Sequence, residues 1–268
     1  MIKKELFVSN LCWNKKDINF VINKLKEEKI SGIDFAPLNY FTSWENILKR
    51  SEKLGTFFKK KKIKINALQG IFFKKNLNLF ESYKKKEITN HFKIIIKLCK
   101  ILNTTKIILG SSNFRDPKNM SLTEADNYFL IYFKYLNKLF KKNKIYLCIE
   151  AIPKKYEEKY IYNINHLKYL ISKINSSNIK INFDTSIYHY KKIDKKIFLN
   201  NLKNIENIQI SQPKFKYFDK PTQENLKFLR ILKKQKNIKK VSLEMIDNKL
   251  NRKKFIRSIK NFRNYINN

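Results

Sequence analysis

Glycine, proline, cysteine, histidine and acidic residues are all scarce in this chain of 268 residues. Four Gly and five Pro exclude collagen-like, linker-rich and repeat-loop architectures. The three cysteines, Cys12, Cys99 and Cys148, are odd in number, widely spaced and set in or beside apolar segments. That usage suits a reduced cytoplasmic interior and not a disulfide framework, and no zinc-binding spacing is present. Long apolar runs are missing too. The opening MIKKELFVSNLCW holds two lysines but too short an apolar stretch for a secretory signal. The most apolar later stretch, 91–102, is interrupted at helical spacing by Lys93, Lys97 and Lys100. It reads as amphipathic, and no membrane partner is expected.

Acid is outnumbered by base: 59 Lys and Arg face 22 Asp and Glu, a formal net charge of +37. A field of that sign suits nucleic acid or an anionic membrane. The distribution argues otherwise. The basic residues are nearly all Lys, they run along the whole chain, and Asn and Ile are plentiful beside them, as A/T-rich codons would produce. No single helix or tail gathers them. Compositional drift is the preferred reading, and no specific nucleic-acid partner is expected. The field still draws phosphates and carboxylates toward the surface.

What is present is a regular alternation. With 43% hydrophobic residues the chain can bury a sizeable core. Short apolar runs rich in β-branched and aromatic residues fall at 5–10, 32–36, 63–69, 106–109, 145–150, 179–184, 207–211 and 240–244. Between them lie segments of helical period at 17–29, 44–60, 86–102, 122–142, 164–174, 195–202, 223–236 and 252–266, with Asp17 and Thr222 at N-cap positions. The repeat is about 30 residues, one strand plus one helix. Strict alternation implies a parallel sheet covered on its faces, and eight units imply closure into a (β/α)8 TIM barrel, one domain over 1–268. An open doubly wound sheet is disfavoured because no glycine-rich loop follows the first strand.

In such barrels chemistry sits at the C-terminal strand ends. Those ends carry Glu150 (YLCIE), Asp184 (INFD), Gln209 (IQISQP) and Glu244 (VSLE). Each follows the last by about one βα unit, so four consecutive strands aim them at one point near the axis. Buried carboxylates are costly unless paired or bound to a cation. Three of them with an amide oxygen make an all-oxygen pocket suited to a divalent metal ion, Mg²⁺ or Mn²⁺.

Several segments, in order, resemble those of the sugar phosphate isomerase/epimerase family of xylose-isomerase-like TIM barrels. They are SNLCW at Ser9, GIDFAP at Gly32, ALQGIFF at Ala67, NLF at Asn78 and ILGSSNFRDP at Ile108, then CIEAIPKKY at Cys148, FDTS at Phe183, QISQP at Gln209 and SLEM at Ser242. The resemblance implies a divalent-metal site of Glu, Asp, His and Glu from the last four strands, with the two glutamates also serving as acid and base. On this chain those roles fall to Glu150, Asp184 and Glu244. The implied substrate is a sugar or sugar phosphate, converted through an enediolate that the metal stabilises. Two positions depart from the pattern. Gln209 stands where the family has its histidine ligand, and Gln212 replaces the glutamate of a HISEP-like segment. A neutral amide is a weaker ligand than imidazole, so loss of the metal, and of catalysis with it, is an alternative outcome.

Further substrate-binding candidates line the expected mouth: Asn10, Trp13, Gln69, Phe72 and Ser111, with Tyr156 reaching back over Glu150 and His189 following Asp184. Arg115 is a rare Arg among lysines; its planar fork suits a phosphate or carboxylate, a loop-bracing ion pair being the other reading. Two rival functions belong to the same barrel. A catalytically degenerate sugar-binding protein follows from Gln209 and Gln212. A DNA-binding enzyme like the abasic-site endonucleases follows from the charge, although the multi-zinc site that resemblance implies needs more histidine than the 3 present. Oligomeric state stays open, a homo-oligomer included.

Overall fold

A computed structural model describes residues 3–188 and 194–267. Eight parallel strands form a closed barrel in sequence order: β1 (Glu5–Ser9), β2 (Gly32–Phe35), β3 (Lys64–Leu68), β4 (Lys106–Leu109), β5 (Tyr146–Glu150), β6 (Ile179–Asp184), β7 (Ile205–Ser211) and β8 (Lys240–Glu244). Closure is made by β8 against β1, with Leu6 opposite Val241 and Val8 opposite Leu243. The helices between them are α1 (Ile18–Glu27), α2 (Pro37–Tyr40), α3 (Ile47–Lys60), α4 (Lys85–Ile101), α5 (Leu122–Asn143), α6 (Ile164–Ile174), α7 (Lys195–Asn200), α8 (Gln223–Lys234) and α9 (Arg252–Asn267). Among the described residues no helix is long and apolar enough to cross a membrane.

Every expected strand and long helix is present, and the differences lie at their edges. The helix expected from 44 starts at Ile47, because Asn46 turns left-handed at φ 47°. Asp17 stands at the N-cap position of α1 but makes no capping hydrogen bond with its side chain. It ends a 3-10 turn (Lys15–Asp17) that Asn14 caps. Thr222 does cap α8, its hydroxyl accepting the Asn225 N–H at 3.2 Å. Ser121 and Glu124 close a capping box on α5.

Two layers result from the period of two along each strand. Leu6 and Val8 of β1, Ile149 of β5, Ile181 and Phe183 of β6, Ile208 and Ile210 of β7, and Val241 and Leu243 of β8 join the helix faces in one continuous apolar cluster. A second apolar cluster, Ala67, Ile108 and Cys148, is small. The alternate residues of β6 to β8 (Asn182, Asp184, Asn207, Gln209, Ser211, Ser242 and Glu244) are all buried as well, yet all are polar. Over β6 to β8 the barrel is therefore oily outside its wall and polar within it.

Candidate active site

The period of two sets the site. On β6 to β8 an apolar side chain (Ile, Phe, Val or Leu) packs against the helices at every second position, so Asn182 and Asp184, then Gln209 and Ser211, then Glu244 turn into the lumen. At its C-terminal end three carboxylates come together. Ser211 Oγ donates toward Asp184 Oδ2 at 2.9 Å and lies 3.4 Å from Glu244 Oε2. The Ser186 N–H holds the other Asp184 oxygen at 2.6 Å. Glu150 is steadied by Asn182, whose Nδ2 donates to its Oε2 at 3.0 Å. Glu150 can lie over the end of β4 because residue 110 is glycine: a Cβ there would fall 2.5 Å from Glu150 Oε2.

Burial disfavours the charged form of each carboxylate. It raises Glu150 to about 8, reinforced by Asp184 and opposed by Arg115 and the Asn182 hydrogen bond. Burial, with Asp184 and Glu150 as like charges, lifts Glu244 well above the usual range. Asp184 is raised by burial too, and the Glu244 carboxyl hydrogen-bonds to it. Two carboxyl groups in that contact share a proton. The cluster therefore retains protons at neutral pH.

Beneath the carboxylates runs a lattice of amides. Asn182 Nδ2 also donates to Gln209 Oε1 at 2.6 Å. Gln209 Nε2 donates to Gln69 Oε1 at 2.9 Å and to Asp34 Oδ2 at 3.3 Å. Asp34 accepts from Asn66 at 2.7 Å; Asn66 in turn meets Asn207 at 3.0 Å, and Asn207 donates to Asn182 at 2.9 Å. Burial raises the Asp34 carboxyl, with Ser242, Asn66 and Lys106 opposing. Asp34, Asn66, Asn182 and Asn207 are absent from the sequence-derived site, although the alternation NIQIS and INFD marks the last two as inward-facing.

The mouth differs from expectation in several places. Asn10 is fully buried, and its amide clamps both backbone groups of Ala36, at 3.1 and 2.6 Å. Phe72 offers no face to a sugar: Phe114 is stacked on it with centroids 3.7 Å apart. Arg115 is fully buried; its Nε and Nη2 reach Glu158 Oε2 at 2.9 and 2.7 Å. It is an ion-paired brace behind the site and not an anion clamp. Gln69 is drawn into the lattice, donating to Ser9 Oγ at 2.6 Å. Trp13 is buried with an indole N–H that meets no acceptor among the described residues. Ser111 and Tyr156 are half-buried at the rim. Tyr156 Oη accepts the Lys214 N–H at 3.3 Å; burial raises its phenol, and the Asp184 charge adds to the rise. Gln212 braces the turn into α8 through Lys220 O, the Thr222 N–H and Asn225. His189 lies outside the described residues.

The expected divalent ion can be tested against these side chains. Three carboxylates suit a hard cation chemically. Their placement does not: among the described residues no three His, Cys, Asp or Glu side chains are grouped so as to hold a metal. Gln209 Oε1, the expected fourth ligand, already accepts from Asn182, and its amide nitrogen is fixed between Asp34 and Gln69. Of the two described histidines, His91 bonds the Ile71 carbonyl and His166 pairs with Asp126. Among the described residues, the side chains as placed do not fit a resident metal.

The sequence profile of the xylose isomerase-like TIM barrel family matches residues 22–264. No curated protein matches the chain by sequence. Solved structures do. The 3-keto-D-glucoside 4-epimerase of E. coli superposes with a TM-score of 0.74 at 12% identity, covering 98% of this chain and 100% of its own. A family 2 AP endonuclease from Brucella melitensis gives 0.73 at 12%, covering 99% and 100%. An IolI protein with a bound zinc atom gives 0.68 at 13%, covering 98% and 95%. At such identities the likeness establishes the fold alone.

Proposed function

The chain belongs to the xylose isomerase-like TIM barrels, and from that premise we propose that it is a carbohydrate isomerase or epimerase working by proton transfer next to a carbonyl. The observation that carries the reading is the buried group of Glu150, Asp184 and Glu244, which keeps protons where an ordinary carboxylate has lost them. The epimerase of similar fold is consistent with it.

Isomerising or epimerising a sugar removes a poorly acidic C–H proton beside a carbonyl. The site needs a base at that carbon and a proton donor for the oxygen or for the opposite face. Glu150, raised to about 8, is a stronger base once ionised than a solvated glutamate, and Asn182 orients its carboxyl by donating to Oε2. Glu244 carries the proton it shares with Asp184, and is the donor. Ser211 keeps those two oxygens in register. Tyr156 and Ser111 at the rim meet the sugar hydroxyls. A bound Mg²⁺ or Mn²⁺ would polarise the carbonyl, but the side chains as placed do not fit one, and no step here uses it.

The test replaces Glu150 and Glu244 singly by Gln and follows solvent deuterium into ketoses, aldoses and their phosphates. Wild type is expected to exchange the proton beside the carbonyl, and each variant to lose at least about 10²-fold. Unchanged exchange removes both residues from the mechanism. Gln209 and Gln212 favour one second reading, a sugar-binding barrel without catalysis. It is supported by saturable sugar binding with no exchange in the wild type.

A further inference from the structure

The end of the barrel opposite the carboxylates holds a charged group that the reaction does not use. Lys106, the first residue of β4, is only 4% exposed. Its Nζ reaches Asn207 Oδ1 and the Glu206 carbonyl, both at 3.3 Å, and it makes no ion pair among the described residues. Lysine is rarely buried to this degree without a counter-charge. The next carboxylate along the axis, Asp34, is linked to it by hydrogen bonds through Asn207 and Asn66 and otherwise acts through space. Beside Lys106, the starts of β7 and β8 enclose a cavity of about 600 Å³ whose walls include Lys203, Lys239 and Lys240 but one carboxylate, Glu206. Glu5, near the same end, is already paired with Lys64. The Lys240 ammonium is pushed down by burial and then by Lys106, which marks the surplus of positive charge.

We propose that this cavity at the N-terminal end of the barrel binds the phosphate group of a small molecule, with Lys106 at its floor and Lys203, Lys239 and Lys240 at its rim. A dianion there takes N–H bonds from a lysine with no carboxylate at ion-pair distance among the described residues and offsets the excess of lysine over carboxylate in the cavity lining. Because the anion binds only the folded chain, it stabilises the barrel by mass action. A stabilising role for this end of the barrel, away from the chemistry, agrees with how such folds divide their two faces. A cavity of about 600 Å³ is the size of a small-molecule site.

Calorimetric titration with inorganic phosphate and with inorganic pyrophosphate at fixed ionic strength tests the site. The proteins are wild type, Lys203→Gln/Lys239→Gln/Lys240→Gln, Lys106→Met, and a control of equal charge loss on α5, Lys134→Gln/Lys138→Gln/Lys141→Gln. Wild type and control are expected to bind with equal Kd. The rim triple and Lys106→Met weaken at least about tenfold. If Lys106→Met fails to fold, the rim triple carries the comparison. Tighter binding of pyrophosphate identifies a phosphoanhydride-bearing ligand; equal binding identifies a single phosphate. Absence of saturable phosphate binding to wild type overturns the site, and so does a control that weakens as much as the rim triple.

Discussion

The layer between barrel wall and helices and the space inside the wall are buried alike but built on opposite terms. Outside the wall, Leu, Ile, Val and Phe make one continuous apolar cluster. Those aliphatic and Phe side chains carry no hydrogen-bonding group, so burial at about 25 cal/mol per Å² and packing suffice. Inside it, Asp34, Asn66, Asn182, Asn207 and Gln209 each depend on named neighbours at 2.6 to 3.3 Å. A missing partner there leaves a desolvated polar group behind. The outer layer therefore tolerates a change of aliphatic shape, while the lumen and its rim are fixed residue by residue. A chain whose surface is weighted so heavily toward Lys can fold because neither layer depends on that surface.

Substitutions that strand a buried charge should separate the two regions most. Arg115→Met leaves Glu158 fully buried without its cation and is expected to lose about 3–5 kcal/mol, read from the urea midpoint. Next comes Gln209→Leu, which strips hydrogen bonds from Asn182, Gln69 and Asp34 together. A loss of about 2–4 kcal/mol is expected by the same assay, and a loss no larger than an aliphatic trim would erase the distinction. A pH series sharpens it. The Glu150 carboxyl rises from 4.5 to about 8 on folding, so the fold favours the protonated form. Its contribution is complete below about 4.5 and is lost as pH climbs toward 8. Glu150→Gln should flatten that decline, overtaking wild type on the alkaline side by on the order of 2 kcal/mol; parallel curves would show that Glu150 ionises freely. The smallest effect belongs to the outer layer: Ile210→Val, about 1 kcal/mol at any pH.

Much of this division was legible in the sequence. β-Branched runs repeating at one βα unit located all eight strands, because parallel strands covered on a face are marked by local composition. Strand ends carrying Glu150, Asp184 and Glu244 stood out because carboxylates rarely close apolar runs. What could not be read was which polar groups find each other. Arg115 meets Glu158 across 43 positions, and Gln209 meets Gln69 across 140. Phe72 looked available for a sugar until Phe114 covered it. Those outcomes belong to loop packing, which no local pattern encodes. Asp34 was legible in principle, a carboxylate inside GIDF, but only closure of the barrel sets it beside Gln209.

Gly110 is where the two kinds of constraint meet. Its neighbours Leu109 and Ile107 face the greasy side and should accept other aliphatics in a saturation library. At 110 itself every one of the remaining amino acids, small or large, brings a first carbon against the carboxylate of the adjacent strand. Even alanine there displaces the oxygen that the barrel positions, so the carboxylate of one strand dictates the residue of the next.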